Sequence, residues 1–599
     1  MKYRSDIQML RGVAVLYVVL FHLGIQAIQS GFLGVDVFFV ISGFLMAVLY
    51  KSDDVKGFFI RRARRLLPAY YVVILSTLVI SFLINTPNET NQVISQAIFG
   101  STFLSNVGFW LQNSYFSKAE FNPLLHLWSL GVEIQFYLIV PILAYIFHKL
   151  RFSLLFILLS SMLLCFAVLT ISPKTSFFMM PLRIWEFLLG FGCALYLTNN
   201  GDVKRQEFRW LGAVGLLFIL LIPFLNVDGV ALSVITGHPG LFALLVSLAT
   251  CMVLIFGLPV IAEQNIIGHS LAKLGNYSYS IYLVHFPIIV LFLSEPFGGT
   301  ILDITNAADW FIIFGLIVIS STLLHKFVET RKFKISIVKL SAGFVSATLA
   351  LAIALPIVKT SMISEQEEKI FSAFEDRSTY RCGKLIRMIN PAAVSCELSN
   401  ESQNTHEAIL LVGNSHADSI KTTFAKIAEK NEISTHFIVH NNPLMPGGLT
   451  PNQIVTEAKS KDINHIVAHF SPMGIKSEAL TELVALSDQN NIRVTFIDPV
   501  PVWAEHVPQK MYFQLKGSVE NLHQTKDEYM SLHREFFDNL SQIQTSNFER
   551  VPVVDYFCRP DCMYKNEEGI PLYFDQGHLT LTGSRVLEEA ISKIVVQTL

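Results

Sequence analysis

Arg11 and His22, both in the first apolar segment of the chain, have residue types and a spacing that could do chemistry. They lie eleven positions apart, and eleven residues at about 100° each come within about 20° of three full helical turns. On an α-helix both side chains therefore project from one face, about 16 Å apart along the axis. Titratable side chains are costly inside a bilayer, so this pair predicts a reaction site or a pathway. The alternative is that the two residues only mark the two membrane interfaces.

Other charged or titratable residues interrupt the apolar segments that follow. Arg62 and Arg65 are three positions apart and share a helical face. Their guanidinium groups suit the bidentate binding of phosphate oxygens, with a basic cytoplasmic anchor as the alternative. Asp36, His126 and Glu133 also lie in apolar sequence, and so many polar groups in one bundle predict a polar cavity. Each of them could instead satisfy a hydrogen bond between helices.

The polar C-terminal third contains a second set of reactive residue types. Ser415 follows the apolar run ILLVGN and precedes a helical pattern, so its backbone N–H lies near a helix N-terminus, where it could stabilise an oxyanion. Asp575 precedes His578 by three residues, so one short loop could supply a base and the carboxylate that fixes its tautomer. In this order, at opposite ends of one domain, the two motifs predict a reaction site that contains serine, histidine and aspartate. Taken singly, each motif also fits a surface turn.

Four cysteines of the same region predict two disulfides. Cys382 and Cys396 form one close pair, and Cys558 and Cys562 form the other. An even number of cysteines at short spacing is typical of an oxidising compartment. Zinc binding is the alternative, but no CxxC spacing or neighbouring histidine pair supports it, and we expect no metal.

The elements that must position these residues begin with a membrane domain. Of the 599 residues, 52% are hydrophobic and 15% charged, and the apolar runs of about 17–23 residues have the length that spans a bilayer. The predicted spans are 7–27, 31–50, 66–86, 129–147, 152–172, 179–198, 209–225, 239–261, 277–294, 310–328 and 336–358. A further segment, 93–112, is more polar and is interpreted as a re-entrant or interfacial helix. The predicted fold is a multi-span α-helical membrane bundle with about eleven transmembrane helices.

Basic residues fall almost entirely on one side of this arrangement. With Lys2 and Arg4 inside the cell, the connections that carry most other basic residues also lie inside, for example 51–65, as the positive-inside rule requires. An odd number of spans then places everything after residue 358 outside, in agreement with the predicted disulfides. The net charge of −2 gives no reason to expect a nucleic-acid partner.

Beyond the last span, strand-like runs alternate with helical stretches. The runs AILLVGNS, THFIVH, HIVAHF and RVTFIDPV favour strands, and their alternation with helices predicts an α/β domain with a parallel sheet covered on both faces. We predict a membrane domain at 1–335, a final transmembrane helix and linker at 336–405, and the α/β domain at 406–599.

The membrane segments resemble the acyltransferase-3 family of integral-membrane acyltransferases. The resemblance rests on LRGVAVLYVVLFH, GFLGVDVFFVISGFL, RRARRLLPAYY, HLWSLGVEIQFY and SYSIYLVHFP, in that order. Arg11 and His22 match the family's arginine-to-histidine motif, and Arg62 and Arg65 match its paired arginines. The resemblance implies a cytoplasmic acyl donor, acetyl-CoA, whose phosphates the arginines would bind.

His22 would then act as a general base or as a transient acyl carrier. We expect Asp36 or Glu133 to orient its imidazole, because a carboxylate commonly has that role. The sequence does not decide between the two. These carboxylates and His126 are expected to bind donor or acceptor in the membrane cavity.

The C-terminal part resembles the SGNH hydrolase and acyltransferase family. Ser415 matches the family nucleophile, and Asp575 and His578 match its DxxH block. The family's oxyanion asparagine has no counterpart after the strand HIVAHF, and Gly447 and Gly448 are the candidates for its glycine block. The resemblance implies an SGNH-hydrolase-like fold whose oxyanion hole relies on backbone N–H groups, or a domain of weak activity.

Together the two resemblances predict a bacterial membrane O-acetyltransferase. It would move an acetyl group from acetyl-CoA to a hydroxyl of an extracytoplasmic glycan by relay through Ser415. The glycan would be the O-antigen of lipopolysaccharide or another cell-surface polysaccharide, which could be lipid-linked. We expect the inner membrane, a cytoplasmic N-terminus and a periplasmic C-terminal domain. The alternatives are a peptidoglycan O-acetyltransferase, an acyl-group transporter with a periplasmic esterase, and a non-enzymatic glycan-binding protein.

Overall fold

The protein is described by a computed structural model that divides into two compact units, Met1–Ser361 and Met362–Leu599. The residues that the structure describes are 4–112, 120–150, 152–200, 207–331, 336–379, 390, 393–398, 407–440, 442–445, 447–472, 474–518 and 521–598. The division after Ser361 lies near the end of the last apolar helix. The predicted boundaries at 335 and 405 stay predictions.

Helices make up the first unit. They are α1 (Ser5–His22), α2 (Gly34–Leu49), α3 (Val55–Ile84), α4 (Pro87–Ser101), α5 (Ser105–Leu111), α6 (Leu127–Lys149), α7 (Ser153–Leu169), α8 (Pro173–Phe178), α9 (Met180–Asn200), α10 (Arg209–Leu221), α11 (Leu241–Phe256), α12 (Val260–Gln264), α13 (Ile266–Phe292), α14 (Ala307–Leu324) and α15 (Ile337–Met362). Short 3₁₀ turns occupy Gly31–Leu33 and Ile222–Phe224, and a π-helical turn occupies His325–Glu329.

Eight of these helices are long and apolar enough to cross a membrane, namely α1, α2, α3, α6, α9, α13, α14 and α15. Three shorter apolar helices, α7, α10 and α11, fall on the remaining predicted segments. Each of the eleven segments therefore corresponds to a helix, while the number of bilayer crossings stays a prediction. The segment 93–112 is shared between α4 and α5 and is interrupted at 102–104.

Helices α1 and α13 touch backbone to backbone at two glycines. A β-carbon built at Gly12 would lie 2.1 Å from the carbonyl oxygen of Leu271, and one built at Gly275 would lie 1.9 Å from a carbonyl oxygen of α1. Both distances are far inside van der Waals contact, so only glycine permits this approach. The next contact between reactive groups of these helices joins His22 to His285. Both residue numbers rise from the Gly12–Leu271 contact to the His22–His285 contact, so the two helices run parallel.

A second glycine contact joins α2 to α9. A β-carbon at Gly43 would lie 1.8 Å from the carbonyl oxygen of Phe187, and one at Gly190 would lie 1.8 Å from that of Val40. From the Asp36–Arg183 ion pair to the Gly43–Gly190 contact both residue numbers rise together, so these two helices are also parallel. The two glycine contacts fix the spacing of α1 against α13 and of α2 against α9.

The second unit is an α/β domain around one six-stranded sheet. Its strands are β1 (Ser395–Glu397), β2 (Glu407–Gly413), β3 (Ile433–Ile438), β4 (His465–His469), β5 (Arg493–Ile497) and β6 (Phe548–Val551). Its helices are α16 (Glu365–Ser372), α17 (Ser415–Lys430), α18 (Pro451–Ser460), α19 (Ser477–Asp488), α20 (Val507–Leu515), α21 (Lys526–Ser541), α22 (Val554–Phe557), α23 (Leu581–Ser584) and α24 (Glu588–Val596), with a 3₁₀ turn at Arg585–Leu587.

The strand order is β1-β3-β2-β4-β5-β6. The neighbours from β3 to β6 are parallel, as predicted, but β1 pairs antiparallel with β3. The sheet is therefore mixed: the predicted parallel pairing is confirmed from β3 to β6, and the antiparallel strand β1 adds one edge. β1 comes from the predicted linker, where a three-residue strand has too few positions to produce a periodic pattern.

The central strands are buried on both faces, which explains their unbroken apolar runs. In β2, the four residues from Ile409 to Val412 are fully buried. The chain order reverses across the sheet between β2 and β4, so the carboxyl ends of these two strands lie side by side at a topological switch point. Such an edge is where α/β sheets commonly place a binding site.

Replacing Gly275 with alanine is predicted to force α1 and α13 apart. The added methyl group would overlap a carbonyl oxygen at 1.9 Å, and overpacking of this kind typically costs about 1–3 kcal/mol. Thermal unfolding of the full chain in detergent would measure the loss. The matched control is Gly315→Ala in α14, where an added β-carbon meets nothing within 4 Å. Equal melting temperatures for the two variants would contradict the prediction.

Candidate functional site

Three arginines of the first unit meet at one cavity. Arg11 of α1 and Arg62 and Arg65 of α3 line a space of about 760 Å³, including the solvent open at its mouth. Arg61 and Arg64 are exposed instead. The three-residue spacing therefore puts Arg62 and Arg65 on the same inward face. Three guanidinium groups at one opening can hold several phosphate oxygens.

A carboxylate and several hydroxyls interrupt the apolar wall of this cavity. Glu133 of α6 accepts hydrogen bonds from the hydroxyl groups of Ser42 and Tyr137, and all three residues line the cavity. Apolar side chains of α2 form much of the remaining wall. Glu133 thus faces the basic cavity, and the structure does not place it as the partner of the His22 imidazole.

His22, the last residue of α1, is paired with a second histidine. Its Nδ1 lies 3.0 Å from Nε2 of His285 on α13, and the two residues are only 3% and 0% exposed. His285 is one more titratable residue in apolar sequence, but it is not among the predicted site residues. A signal was present, since His285 follows Gly275 by ten residues and His22 follows Gly12 by ten. Parallel helices in contact at these glycines bring both histidines to one level.

His126, at the start of α6, is the third histidine of this cluster. Its ring centre lies 5.7 Å from that of His285, and its Nε2–H donates to the carbonyl oxygen of Leu283 at 3.0 Å. Its Nδ1 has no hydrogen-bond partner among the described residues. Tyr282 connects the cluster to the cavity, because it lines the cavity and its hydroxyl donates to the His126 carbonyl oxygen at 2.8 Å.

Asp36 does not orient His22, contrary to one of the two expectations. Its Oδ1 accepts a hydrogen bond from Nη2 of Arg183 at 2.7 Å. Arg183 also contacts Glu186 at 3.1 Å and His238 at 3.2 Å, and all four residues of this cluster are buried. A buried guanidinium must be compensated by a carboxylate, so Asp36 joins α2 to α9 and is not among the residues that line the cavity.

In the second unit, Ser415, His578 and Asp575 meet at the carboxyl edge of the sheet. Nε2 of His578 lies 2.6 Å from Oγ of Ser415, and its Nδ1 lies 2.6 Å from Oδ2 of Asp575. Ser415 begins α17 directly after β2. Asp575 and His578 lie on a turn in which the backbone N–H of Phe574 donates to the His578 carbonyl oxygen. The order hydroxyl, imidazole, carboxylate is that of a serine nucleophile with its base and orienting acid.

The surroundings of Asp575 keep its carboxylate ionised. Burial alone would raise its pKa, but the hydrogen bond and charge of His578 and the backbone N–H groups of Gly577 and His578 lower that pKa to about 2. The two N–H groups donate to Oδ1 at 2.9 and 2.8 Å. Asp575 can therefore hold the Nδ1–H of His578 at neutral pH, which leaves Nε2 to accept the proton of Ser415.

An asparagine lies next to the nucleophile, although not where it was expected. Asn414 follows β2, and its Nδ2 donates to Oγ of Ser471 beyond the end of β4 at 2.8 Å. Its Oδ1 accepts from the backbone N–H groups of His416 at 3.0 Å and Ser471 at 3.2 Å. Gly474 packs against this pair, since an added β-carbon would lie 2.2 Å from Nδ2 of Asn414. The two strand ends beside Ser415 are thus joined by side-chain hydrogen bonds.

The loop after β3 contains the two glycine-block candidates. Gly447 has a φ of +79°, a left-handed conformation that favours glycine. A β-carbon at Gly448 would lie 1.8 Å from the carbonyl oxygen of Asn442. The turn itself therefore requires both glycines, and a role for them in oxyanion binding stays a prediction.

The structure contains a disulfide between Cys558 and Cys562, one of the two predicted pairs. Cys396 is also disulfide-bonded. Its predicted partner, Cys382, lies outside the described residues, so that pairing stays a prediction.

The reactive side chains of both units suit acyl transfer, and the apolar helices place the first unit in a membrane. The class is therefore that of a membrane acyltransferase. The family model for the acyltransferase domain matches residues 4–326, and the model for the SGNH domain that is fused to acyltransferase-3 domains matches residues 381–593. The chain belongs to the acyltransferase-3 family and carries its fused SGNH domain.

Relatives with curated names are similar over much of the chain. A candidate O-acetyltransferase of Staphylococcus aureus (strain MSSA476) is 28% identical over 485 residues, which are 72% of this chain and 77% of that protein. Peptidoglycan O-acetyltransferase OatA of Listeria monocytogenes is 31% identical over 378 residues, which are 57% of this chain and 58% of that protein. The solved periplasmic domain of a lipopolysaccharide acetyltransferase of Salmonella serovar Paratyphi A matches 39% of this chain and 98% of its own, with 14% identity and a TM-score of 0.28.

Arg183 is predicted to need one of its two carboxylates. Asp36→Asn or Glu186→Gln alone leaves one carboxylate for one guanidinium, whereas the double variant leaves a buried cation without a counter-charge. Breaking a buried pair typically costs about 3–5 kcal/mol, so the double variant should lose more stability than the sum of the two single variants. Thermal unfolding in detergent measures these losses. Strictly additive losses would contradict the prediction.

Asp575→Asn is predicted to slow the acylation of Ser415 about 10³- to 10⁴-fold, because the amide stabilises neither the required tautomer nor the imidazolium of His578. The rate at which a fluorophosphonate probe labels Ser415 in the full chain measures this effect. Asp561→Asn is the matched control, since Asp561 also faces a histidine at 3.5 Å but is 68% exposed. Similar labelling rates for the two variants would argue against the triad.

The ionised carboxylate of Asp575 is also predicted to stabilise the folded domain. Its pKa falls from 3.8 to about 2 on folding, so this contribution is complete above about pH 4 and is lost as the pH falls toward 2. Below about pH 4, the stability of wild type should therefore fall more steeply with pH than that of Asp575→Asn. Denaturant unfolding at a series of pH values, monitored by tryptophan fluorescence, tests this sign, and parallel pH dependences would contradict it.

Proposed function

We propose that this chain transfers an acetyl group from cytoplasmic acetyl-CoA to a hydroxyl of a glycan outside the cytoplasmic membrane. The observation that carries the proposal is the meeting of Arg11, Arg62 and Arg65 at one cavity in the membrane unit. Coenzyme A carries a pyrophosphate and a ribose phosphate, and guanidinium groups bind such oxygens bidentately. The curated names of the relatives include the word O-acetyltransferase, which supports acetyl as the acyl group.

The acyl end of the donor would lie on the side of the cavity formed by Ser129 and Tyr282. Both residues line the cavity, and the Tyr282 hydroxyl and carbonyl oxygen contact His126 and His285 respectively. This side is therefore the one that leads to the histidine cluster. His22 would act there as a general base or as a transient acyl carrier.

The second unit would receive the acetyl group as an ester of Ser415. As Oγ attacks the acetyl carbonyl carbon, its proton passes to Nε2 of His578, which gives it to the previous carrier as the bond from that carbon to the carrier breaks. A glycan hydroxyl then attacks the ester and loses its proton to Nε2 of His578, which passes that proton to the departing Oγ of Ser415. The hydrogen bonds at 2.6 Å along Ser415, His578 and Asp575 support this step.

The acceptor in this proposal is a cell-envelope glycan, either the O-antigen of lipopolysaccharide, another surface polysaccharide or peptidoglycan. The Listeria relative bears the name peptidoglycan O-acetyltransferase, which favours peptidoglycan. The proposed location is the cytoplasmic membrane of a bacterium, with the N-terminus inside and the SGNH unit in the periplasm. The distribution of basic residues and the Cys558–Cys562 disulfide support this orientation.

The test is the O-acetyl content of envelope glycans from a deletion strain complemented with the wild type, His22→Ala or Ser415→Ala. Mass spectrometry of separated lipopolysaccharide and peptidoglycan fractions would identify the acceptor. We expect each variant to lose at least about 100-fold in acetylation, because a positioned base or nucleophile typically contributes 10² or more. His148→Ala and Ser541→Ala, which replace exposed residues of the same types, are the matched controls.

The outcomes separate the parts of the proposal. Full acetylation with His22→Ala, at wild-type levels of protein in the membrane, would overturn the role of the membrane unit. Full acetylation with Ser415→Ala alone would remove the relay and leave direct transfer from the membrane unit. Loss of acetyl groups from a small secreted molecule, with both glycans unchanged, would overturn the acceptor class.

A further inference from the structure

We infer that His285 is a positioning residue that fixes the tautomer and the orientation of His22. The inference rests on the proposed role of His22 and assigns to a histidine the place that the sequence analysis gave to a carboxylate. It follows from one hydrogen bond between α1 and α13 and from two within α13. His285 lies on a different helix from His22 and is fully buried.

The first step concerns the proton of His285. Its Nδ1 lies 2.7 Å from the carbonyl oxygen of Tyr282 and 3.2 Å from that of Ile281. Carbonyl oxygens only accept hydrogen bonds, so Nδ1 of His285 must be the nitrogen that carries hydrogen. A charged ring at a fully buried position would be costly, so we take the ring as neutral, with its lone pair on Nε2.

The lone pair on Nε2 of His285 then fixes the position of the proton on His22. Nε2 of His285 lies 3.0 Å from Nδ1 of His22. Because that Nε2 accepts, Nδ1 of His22 must donate, and the lone pair of the neutral His22 ring is on its own Nε2. Through His285, the backbone carbonyls of α13 therefore favour Nε2 as the nitrogen of His22 that can react.

The backbone of Val18 on α1 also makes a hydrogen bond with the His22 ring, whereas the other groups that face this pair have separate partners. His126, at the start of α6, donates its Nε2–H to the Leu283 carbonyl oxygen. The hydroxyl of Tyr282 donates to the His126 carbonyl oxygen. The rings of Phe286 and Phe21 flank His22 at centre distances of 4.7 and 5.2 Å. His285 is thus the group on α13 that the structure places within hydrogen-bond distance of the His22 ring.

The tautomer of His22 decides which of its ring nitrogens can act in the proposed reaction. When a hydroxyl attacks the thioester, its O–H bond breaks, its oxygen bonds to the acetyl carbon, and the carbon–sulfur bond breaks. Nε2 of His22 takes the hydroxyl proton and returns it to the departing thiolate, while its Nδ1–H continues to donate to His285. If His22 is instead the acyl carrier, Nε2 is also the atom that attacks. Either route fails when the lone pair is on Nδ1.

The experiment compares His285→Leu with His285→Gln in membrane vesicles that contain the endogenous acceptor and receive radiolabelled acetyl-CoA. The oxygen of a glutamine carboxamide can accept the Nδ1–H of His22, whereas leucine cannot. We expect kcat to fall about 10- to 100-fold in His285→Leu, as is typical when a group that orients a reactive imidazole is lost, and the glutamine variant to recover much of this loss. The KM for acetyl-CoA should stay unchanged, because His285 does not line the cavity.

A double variant separates positioning from packing. If His285 acts through His22, then adding His285→Leu to His22→Ala should cause no further loss of rate. Val290→Ala, which removes buried volume from the same helix, is the control. It should lower thermal stability, and kcat/KM per folded molecule should stay unchanged. Equal activity of His285→Leu and wild type, equal loss with leucine and glutamine, or a further loss in the double variant would each overturn the inference.

The same assay distinguishes failure of this inference from failure of the proposed function. An active His22→Ala variant would remove the proposed role of His22 itself. An inactive His22→Ala variant together with a fully active His285→Leu variant would leave the proposed function intact and overturn only the role of His285.

Discussion

The backbone contact between α1 and α13 is the constraint on which the membrane site depends. In hydrocarbon no hydrophobic effect draws two helices together, so close packing and polar contacts must do so. The glycines at positions 12 and 275 let carbonyl oxygens of one helix occupy the place of a side chain of the other. The same two helices present Arg11 to the cavity and His22 to His285. One packing contact therefore sets the position of both groups relative to α13.

The carboxylates of Asp36 and Glu133 in the membrane unit are paired in separate sets. Asp36 compensates Arg183, and Glu133 accepts hydrogen bonds from two hydroxyls of the cavity wall. A buried carboxylate is stable only beside a cation or sufficient donors, so each carboxylate lies where such partners exist. The side-chain partner that the structure gives to His22 on α13 is a second imidazole. This division leaves the cavity and the histidine cluster joined mainly through Tyr282.

The sequence was sufficient for features that depend on local pattern. All eleven apolar segments are helices, because span length and hydropathy are local properties, and Ser415, Asp575 and His578 fall in two short motifs that the fold brings together. The partners of Asp36 and His22 were not predictable, since they lie 147 and 263 residues away and only packing selects among several polar residues. The edge strands β1 and β6, of three and four residues, are too short and too polar to produce a strand pattern.

The separation of Ser415 from His578 along the chain has a consequence for biosynthesis. The two residues are 163 positions apart, and most of the sheet lies between them. A copy whose translation or export stalls inside that interval has a serine hydroxyl without a base, so it cannot form an ester at an appreciable rate. The Ser415 site can therefore react only after the chain has been made as far as His578. Incomplete copies would thus carry a serine that takes no part in acyl transfer.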